Sequence, residues 1–466
     1  MSAMRPQFAF RQRELEHYPQ TTTRRAYLAL VVLITVALYY ALYIGGGVAP
    51  LFMRQLHMPF TYYVGQLAIG NAIGAFASLL AGLSDRFGRS RLVVWGLLLV
   101  ALLTLFAEPA ATNRLVFAIW GITVGFVEGI ILVATPALMR DFSPQVGRAT
   151  AMGVWAMGPV LGSLVTSAVV SSTLGFLPTW QAQFRLCGVF CLAVWLVAFL
   201  FLRELKPALR DQIMVSDRDG VLNEMRARGL DVEASLRNPW RQVLRFDIVA
   251  SAFGVSVLLL VYYTSVAFGV IYLVAIFHFT LHRANALLNW NWAANVVALL
   301  AAGMLSDRLG VRKPFMLIGG LGGAASIWLF LAHGANHPSF ALMALCGATI
   351  SLFVGAAYAA WMASFTETIE AHNPALTATG LAIWGWILRL IVTASFVALP
   401  KVVTPVTQAA RWQLWFAICA GGALVFVAMI ATMKGRWLPS AARADADAHE
   451  AEVAKAMAKM NEAIRS

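Results

Sequence analysis

Gly82-Leu83-Ser84-Asp85-Arg86-Phe87-Gly88-Arg89-Ser90-Arg91 is a small charged knot set between two long apolar runs. The chain writes it again as Leu305-Ser306-Asp307-Arg308-Leu309-Gly310-Val311-Arg312-Lys313, with Asp307 following Asp85 by 222 positions. The echo extends upstream, where Tyr39-Tyr40 recurs as Tyr262-Tyr263 at an offset of 223. One half of the chain is therefore a diverged copy of the other. A period this long exceeds that of any solenoid repeat and fits two like bundles joined in one chain.

Composition names the solvent. The 466 residues are 60% hydrophobic and 12% charged, with a mean hydropathy of +0.73. A soluble domain carries roughly a quarter charged residues, so the chain reads as a membrane protein. About twelve apolar segments reach the roughly 20 residues that a helix needs to cross a bilayer. A membrane β-barrel would instead alternate with period two. The expected fold is an all-α membrane protein, with twelve transmembrane helices in two pseudo-symmetric six-helix bundles.

The net charge of +13 invites a nucleic-acid reading, which the placement of the basic residues excludes. With the amino terminus in the cytoplasm, 28 of the 35 Lys and Arg fall in cytoplasmic segments. Six face the other side (Arg54, Arg114, Arg185, Arg283, Lys401 and Arg411), and Arg389 lies within a span. This is the positive-inside asymmetry of a multi-pass protein, expected in a cytoplasmic (inner) membrane with both termini cytoplasmic. The basic excess faces anionic lipid. The first apolar run is too long for a signal-peptide core, so no cleaved signal is expected. Cys187, Cys191, Cys346 and Cys419 all fall in apolar segments, with neither a disulfide framework nor metal-ligand spacing.

A polar tail (1–26) leads into the first bundle (27–202), with helices expected at about 27–53, 60–83, 91–107, 113–139, 148–174 and 185–202. The third ends at Glu108-Pro109, a proline-marked turn. Residues 203–245 hold nine basic residues and no long apolar run, and read as a cytoplasmic linker. The second bundle (246–433) repeats the plan at about 247–277, 284–305, 313–332, 339–366, 374–398 and 411–433. An Ala-, Asp- and Glu-rich tail (434–466) follows.

Twelve helices with this knot between helices 2 and 3, and its echo between 8 and 9, resemble the major facilitator superfamily. Gly82, Asp85, Arg86, Gly88, Arg89 and Arg91 match its signature G-x-x-x-D-R-x-G-R-(K/R)-x-(K/R). Ser90 departs from it, and the echo keeps Asp307, Arg308 and Gly310 but has Val311 where the first copy has Arg89. The resemblance implies two halves rocking about a central site, with Gly82, Asp85, Arg86, Gly88, Arg89, Asp307 and Arg308 acting as a conformational latch. The basic residues of the knot also serve topology.

An ionisable residue deep in a membrane helix is expensive and usually functional. Two sit well inside the expected spans: Glu128 in helix 4 and Arg389 in helix 11. Arg389 offers a planar fork of donors suited to a carboxylate or phosphate; the competing reading is a structural pair with Glu128 or with helix carbonyls. Glu128 reads as the proton carrier, or as half of a permanent salt bridge. All eight histidines lie in loops, tails or helix ends, which leaves no mid-membrane histidine relay.

The resemblance makes helices 1, 4, 7 and 10 line the cavity. Tyr39 and Tyr43, Tyr262 and Tyr263, Tyr358 and Trp361, and Trp384 on helix 11 are candidate substrate contacts, as are the amides Asn291 and Asn295, which share a face of helix 8. For any one aromatic, packing or an interfacial belt competes with ligand contact.

These residues point to a secondary transporter working by alternating access: proton-coupled symport of a small organic anion, a mono- or dicarboxylate. The alternative is a drug–proton antiporter exporting lipophilic or cationic compounds. Against it, the helix 5 run Gly158-Pro159-x-x-Gly162 matches the exporters' glycine–proline signature only in part, and Phe117 stands where their helix 4 pattern has Arg. Close helix packing accounts for the helix 5 glycines. No nucleophile–base set argues for an enzyme, and no phosphate-binding loop argues for ATP-driven transport. No cofactor is expected. The partners expected are an anionic substrate, protons and the bilayer, with the chain working as a monomer.

Overall fold

The computed structural model describes residues 13–78, 88–143, 148–210, 242–333, 338–373, 376–433 and 435–438. The signature residues Gly82, Asp85 and Arg86, most of the linker and nearly all of the carboxy-terminal tail lie outside these. The first half comprises α1 (Thr21–Gln55), α2 (Phe60–Ser78), α3 (Arg89–Leu102, continued by a π turn, Leu103–Ala107), α4 (Arg114–Phe142), α5 (Arg148–Ala156 and Gly158–Thr173) and α6 (Trp180–Phe201). The second comprises α7 (Phe246–Leu258 and Leu260–Phe277), α8 (Leu281–Leu309), α9 (Lys313–His333), α10 (Phe340–His372), α11 (Thr377–Val403) and α12 (Ala409–Met429).

Eleven helices among the described residues are long and apolar enough to cross a membrane. A further apolar helix, α2, carries the polar Gln66 and Asn71 within its described stretch. The outside is as greasy as the core: Phe76, Phe106, Ile318, Leu345 and Leu390 are all exposed, as lipid-facing side chains are. Side-chain caps start α4, α6, α8 and α10, where Asn113, Thr179, Thr280 and Ser339 accept from the first free N–H groups.

The repeated knot builds the same device twice. Gly88 (φ +90°) enters α3 and Gly310 (φ +63°) leaves α8, left-handed positions that favour glycine. Arg89 pairs with Asp141 at the end of α4 at 2.6 Å. Arg312 pairs with Glu367 near the end of α10 at 2.9 Å, and also with Asp307. The arginine missing at Val311 is thus supplied one place later.

The tail does more than expected. Helix α1 begins at Thr21, and the residues before it pair with the chain beyond α6 as a two-stranded parallel ladder, β1 (Glu14–Leu15) with β2 (Glu204–Leu205). The Ser90 N–H donates to the Glu204 carboxylate at 3.2 Å, over Gly88, where any side chain would collide with that carboxylate. Glu204 thereby serves the free N–H groups at the start of α3.

The halves meet along α1 with α7, α5 with α8 and α2 with α11. Away from the Arg89 end the described residues of the seam pack closely. A methyl at Gly46 would strike the Val266 carbonyl oxygen. Asn285 Nδ2 donates to the Gly47 carbonyl at 2.9 Å, and Asn289 Nδ2 to Ser171 Oγ at 3.0 Å. Phe60 and Tyr63 pack edge-on against Phe268 at 5.7 and 6.2 Å, and Phe268 meets Phe396 at 5.3 Å. Aromatic edge contacts of this kind seal without needing polar partners.

Candidate functional site

The site grows from the seam between α2 and α4. Gly70 and Gly74 on α2 face Gly125 and Gly129 on α4, and a Cβ on Gly129 would lie only 2.5 Å from the Gly74 carbonyl oxygen. Small residues four apart on both helices allow this approach. Arg389 of α11 lays its guanidinium on the seam, with Nη1 3.4 Å from where a Cβ on Gly74 would stand. Its backbone carbonyl accepts from Asn71 Nδ2 at 3.1 Å, and the same amide donates to Thr393 Oγ1 at 2.8 Å. The arginine of one half thus reaches into the other.

Tyr39 and Tyr263 lie within electrostatic reach of that cation, and Tyr358 lies within reach of both tyrosines. Tyr39 stacks obliquely on Tyr43 at 5.5 Å, and Tyr262 stands perpendicular to Tyr263 at 5.2 Å. The Tyr262 hydroxyl lies 3.4 Å from Ser163 Oγ, a contact across the halves. Next to this group a small, half-open cleft is lined by Tyr43, Ser163, Thr166, Asn285 and Trp292, among others.

Trp384 is 6.2 Å from Tyr358, and its indole N–H is buried with no hydrogen-bond partner. Trp361 behaves differently: it is fully buried and donates to Ser251 at 2.9 Å, inside the second bundle. Asn291 and Asn295 also turn into that bundle. Asn291 sits against Gly347 of α10, and Asn295 donates to the Ser351 carbonyl at 3.0 Å. The asparagines facing the seam are Asn285 and Asn289, one helical face away.

Glu128 is buried in the first bundle, 1% exposed, and neither of its carboxylate oxygens has a hydrogen-bond partner. It makes no ion pair with Arg389, although Tyr39 lies within electrostatic reach of both. Among the described residues no carboxylate lies within ion-pair distance of Arg389 either. Among the described residues, the two side chains therefore share one neighbouring tyrosine and no ion pair.

Four polar residues escaped the sequence reading: Gln66, Asn71, Glu108 and Asn285. The glycine spacing from Gly121 to Gly129, matched by Gly70 and Gly74, was a readable sign that α2 and α4 touch. For Glu108 the proline behind it pointed to an exposed turn, yet the residue is 5% exposed.

A family model described as Major Facilitator Superfamily matches residues 31–284. "Probable anion transporter 3, chloroplastic" of Arabidopsis thaliana is 33% identical over 103 residues, which is 21% of this chain and 20% of that protein. An MFS-type efflux pump of Trichophyton rubrum is 25% identical over 263 residues, 53% of this chain and 42% of the pump. The chain thus spans less than half the length of these two curated relatives. A crystal structure of a D-xylose-proton symporter superposes with a TM-score of 0.66 at 14% identity, over 86% of this chain and 96% of its own.

Proposed function

Because the chain belongs to the Major Facilitator Superfamily, it is a multi-pass membrane transporter and not an enzyme, and we propose that it carries a small organic anion, a mono- or dicarboxylate, together with a proton. Arg389 binds the anion as a fork of donors, Trp384 adds its free N–H, and Tyr39, Tyr43, Tyr262, Tyr263 and Tyr358 order the substrate. Glu128 carries the proton, which offsets the charge of the entering anion. The two halves rock about this site, and the Arg89–Asp141 and Arg312–Glu367 ends act as the latch. The chain works as a monomer in a cytoplasmic membrane, with both termini on the cytoplasmic side.

One observation carries this reading. The Arg389 guanidinium stands midway along α11 with no carboxylate within ion-pair distance among the described residues, and Tyr39 and Tyr263 lie within its electrostatic reach. A guanidinium inside a membrane span without a carboxylate partner is complementary to an anion and hostile to a cationic drug. Glu128 supports proton coupling, because a carboxyl buried without a partner is stable there only as the neutral acid.

A thermal-shift screen of the purified protein tests the proposal, using L-lactate, succinate and tetraphenylphosphonium as probes. A ligand that binds only the native state stabilises it by mass action, by about 3 kcal/mol at a hundredfold excess over Kd. Stabilisation by a carboxylate, lost in Arg389→Ala, is the expected result. Stabilisation by the lipophilic cation, indifferent to Arg389, overturns the proposal in favour of drug export.

A further inference from the structure

The π turn at the end of α3 has a consequence for the residue that follows it. The Glu108 N–H donates to the Leu103 carbonyl, five residues back, at 2.9 Å. This wider turn, a feature frequent at functional sites, accompanies a Glu108 side chain lodged inside the first bundle. One of its carboxylate oxygens, Oε2, is buried without a partner. Thr104 of the same turn is 0% exposed and Gln66 of α2 is 9% exposed, and Thr104 Oγ1 and Gln66 Oε1 lack partners too. Helix α4 presents Gly121 here: a Cβ on it would lie 3.1 Å from Gln66 Nε2 and 3.7 Å from Glu108 Oε1. The missing side chain leaves the two groups room against one face of α4.

The Thr104 hydroxyl is within reach to donate to Glu108, and that one hydrogen still leaves a carboxylate oxygen of Glu108 and Gln66 Oε1 as acceptors without one. A proton on Glu108 converts an acceptor into a donor and removes the buried charge, which no basic residue among those described neutralises. We propose that Glu108, Gln66 and Thr104 form a second proton-binding site in the first bundle, and that protons pass between it and Glu128 without entering the cleft at Arg389. This deepens the proton-coupled reading above and rests on it.

The route has residues along it. Glu128 lies two helical turns beyond Gly121, roughly 10 Å along α4. Cys187 of α6 is within electrostatic reach of both carboxyls, and Cys191, one turn on, donates to the Ala37 carbonyl at 3.4 Å. Among the described residues, the titratable groups within electrostatic reach of Glu108 are thus Glu128 and Cys187. In the transfer, the Glu108 O–H bond breaks and a Glu128 O–H bond forms, with a short chain of waters admitted between them, each accepting one proton and donating another. Nothing is oxidised or reduced. A bare metal cation would want more oxygens than these three side chains offer, so the proton is the ligand.

Infrared titration of the carboxyl C=O stretch tests this in full-length protein reconstituted in liposomes, in choline chloride and in sodium chloride, from about pH 5 to about pH 10. The expected result is a band to which Glu108 and Glu128 both contribute, beside any signal from Asp141 and Glu204. Glu108→Gln removes its own contribution and moves the midpoint of Glu128, and Glu128→Gln does the reverse. Gln66→Leu moves the Glu108 midpoint by about one unit, the tenfold worth of one hydrogen bond, and carries the test should Glu108→Gln fail to fold. A band unchanged in amplitude in Glu108→Gln, or unmoved in Gln66→Leu, overturns the proposal. Loss of the band on adding sodium at constant pH overturns it in favour of a sodium site.

Transport separates the two readings. With L-lactate, succinate and inorganic phosphate as probes, Glu108→Gln is expected to lower the ratio of gradient-driven accumulation to counterflow tenfold or more. An unchanged ratio overturns the relay and leaves anion symport standing. Coupled titration of the two carboxyls without uptake of any probe anion overturns the anion reading and leaves the relay standing.

Discussion

Asn71 of α2 holds Arg389 of α11 by its backbone, donating from Nδ2 to the carbonyl oxygen at 3.1 Å across the seam between the halves. The same amide reaches Thr393 Oγ1 at 2.8 Å. One side chain thereby sets both where the central cation stands and how the two bundles register.

Asn71→Ala should therefore disturb ligand binding more than stability. Two lost hydrogen bonds inside a membrane bundle are worth about 1–2 kcal/mol together. Carboxylate affinity should fall about tenfold, while Asn289→Ala, which removes one bond between α8 and α5, should leave it within about twofold. Equal effects from the two substitutions in the thermal-shift screen would show that Asn71 is merely part of the seam.

Gly46 is the narrowest point between α1 and α7, since any side chain there meets the Val266 carbonyl. Gly46→Val should pry the halves apart at that end, because a backbone oxygen cannot move aside. A cysteine introduced at Tyr43, in the cleft, should then react with a maleimide in detergent roughly ten times faster, a gain of about 1.4 kcal/mol in opening. The native cysteines are buried and should stay silent. No change in rate would mean the cleft opens at the Arg89 end instead.

The two latch pairs should differ in strength despite their symmetry. The Asp141 side chain is 4% exposed, whereas Glu367 is 50% and Asp307 67% exposed. Removing Arg89 strands a buried charge, which costs about 3–5 kcal/mol. Removing Arg312 frees carboxylates that water already reaches, at about 1 kcal/mol or less. Denaturation of Arg89→Ala, Arg312→Ala and the double variant Arg89→Ala/Asp141→Asn checks this, with the last recovering much of the loss.

The amino-terminal strap should respond to pH through Glu204. Burial pushes its carboxyl above the usual carboxylate range, while the Ser90 N–H pulls it back. A group whose value rises on folding contributes most below its unfolded value and loses that contribution as pH climbs through the raised one. Hydrogen exchange at residues 13–16 should accordingly quicken as pH rises through that window, after correction for intrinsic exchange. Glu204→Gln should abolish the dependence, and a slope that survives the substitution would point to another group.

Much of this protein is decided within single segments. Hydropathy and length set the spans, the basic residues mark one face, and Asp85 and Asp307 with their neighbours announce the repeat. Glu128 and Arg389 were visible for the same reason: a charge in an apolar run is a local fact. What stood across from them was not.

The two asparagine stripes of α8 show where locality ends. Asn285 and Asn289 are four apart, as are Asn291 and Asn295, and each pair makes a face of the helix. Nothing within α8 says which face meets the other half. Gly47 and Ser171 decide it by offering partners to the first pair, while Gly347 and the Ser351 carbonyl receive the second. Glu108 is the same lesson in one residue, since the π turn and the vacancy at Gly121 bury a side chain that its neighbour Pro109 marked for the surface. Sequence determined which segments enter the bilayer, because that depends on each segment's own affinity for lipid. Tertiary structure decided which side chains meet, because helix rotation is set by packing between residues far apart in the chain.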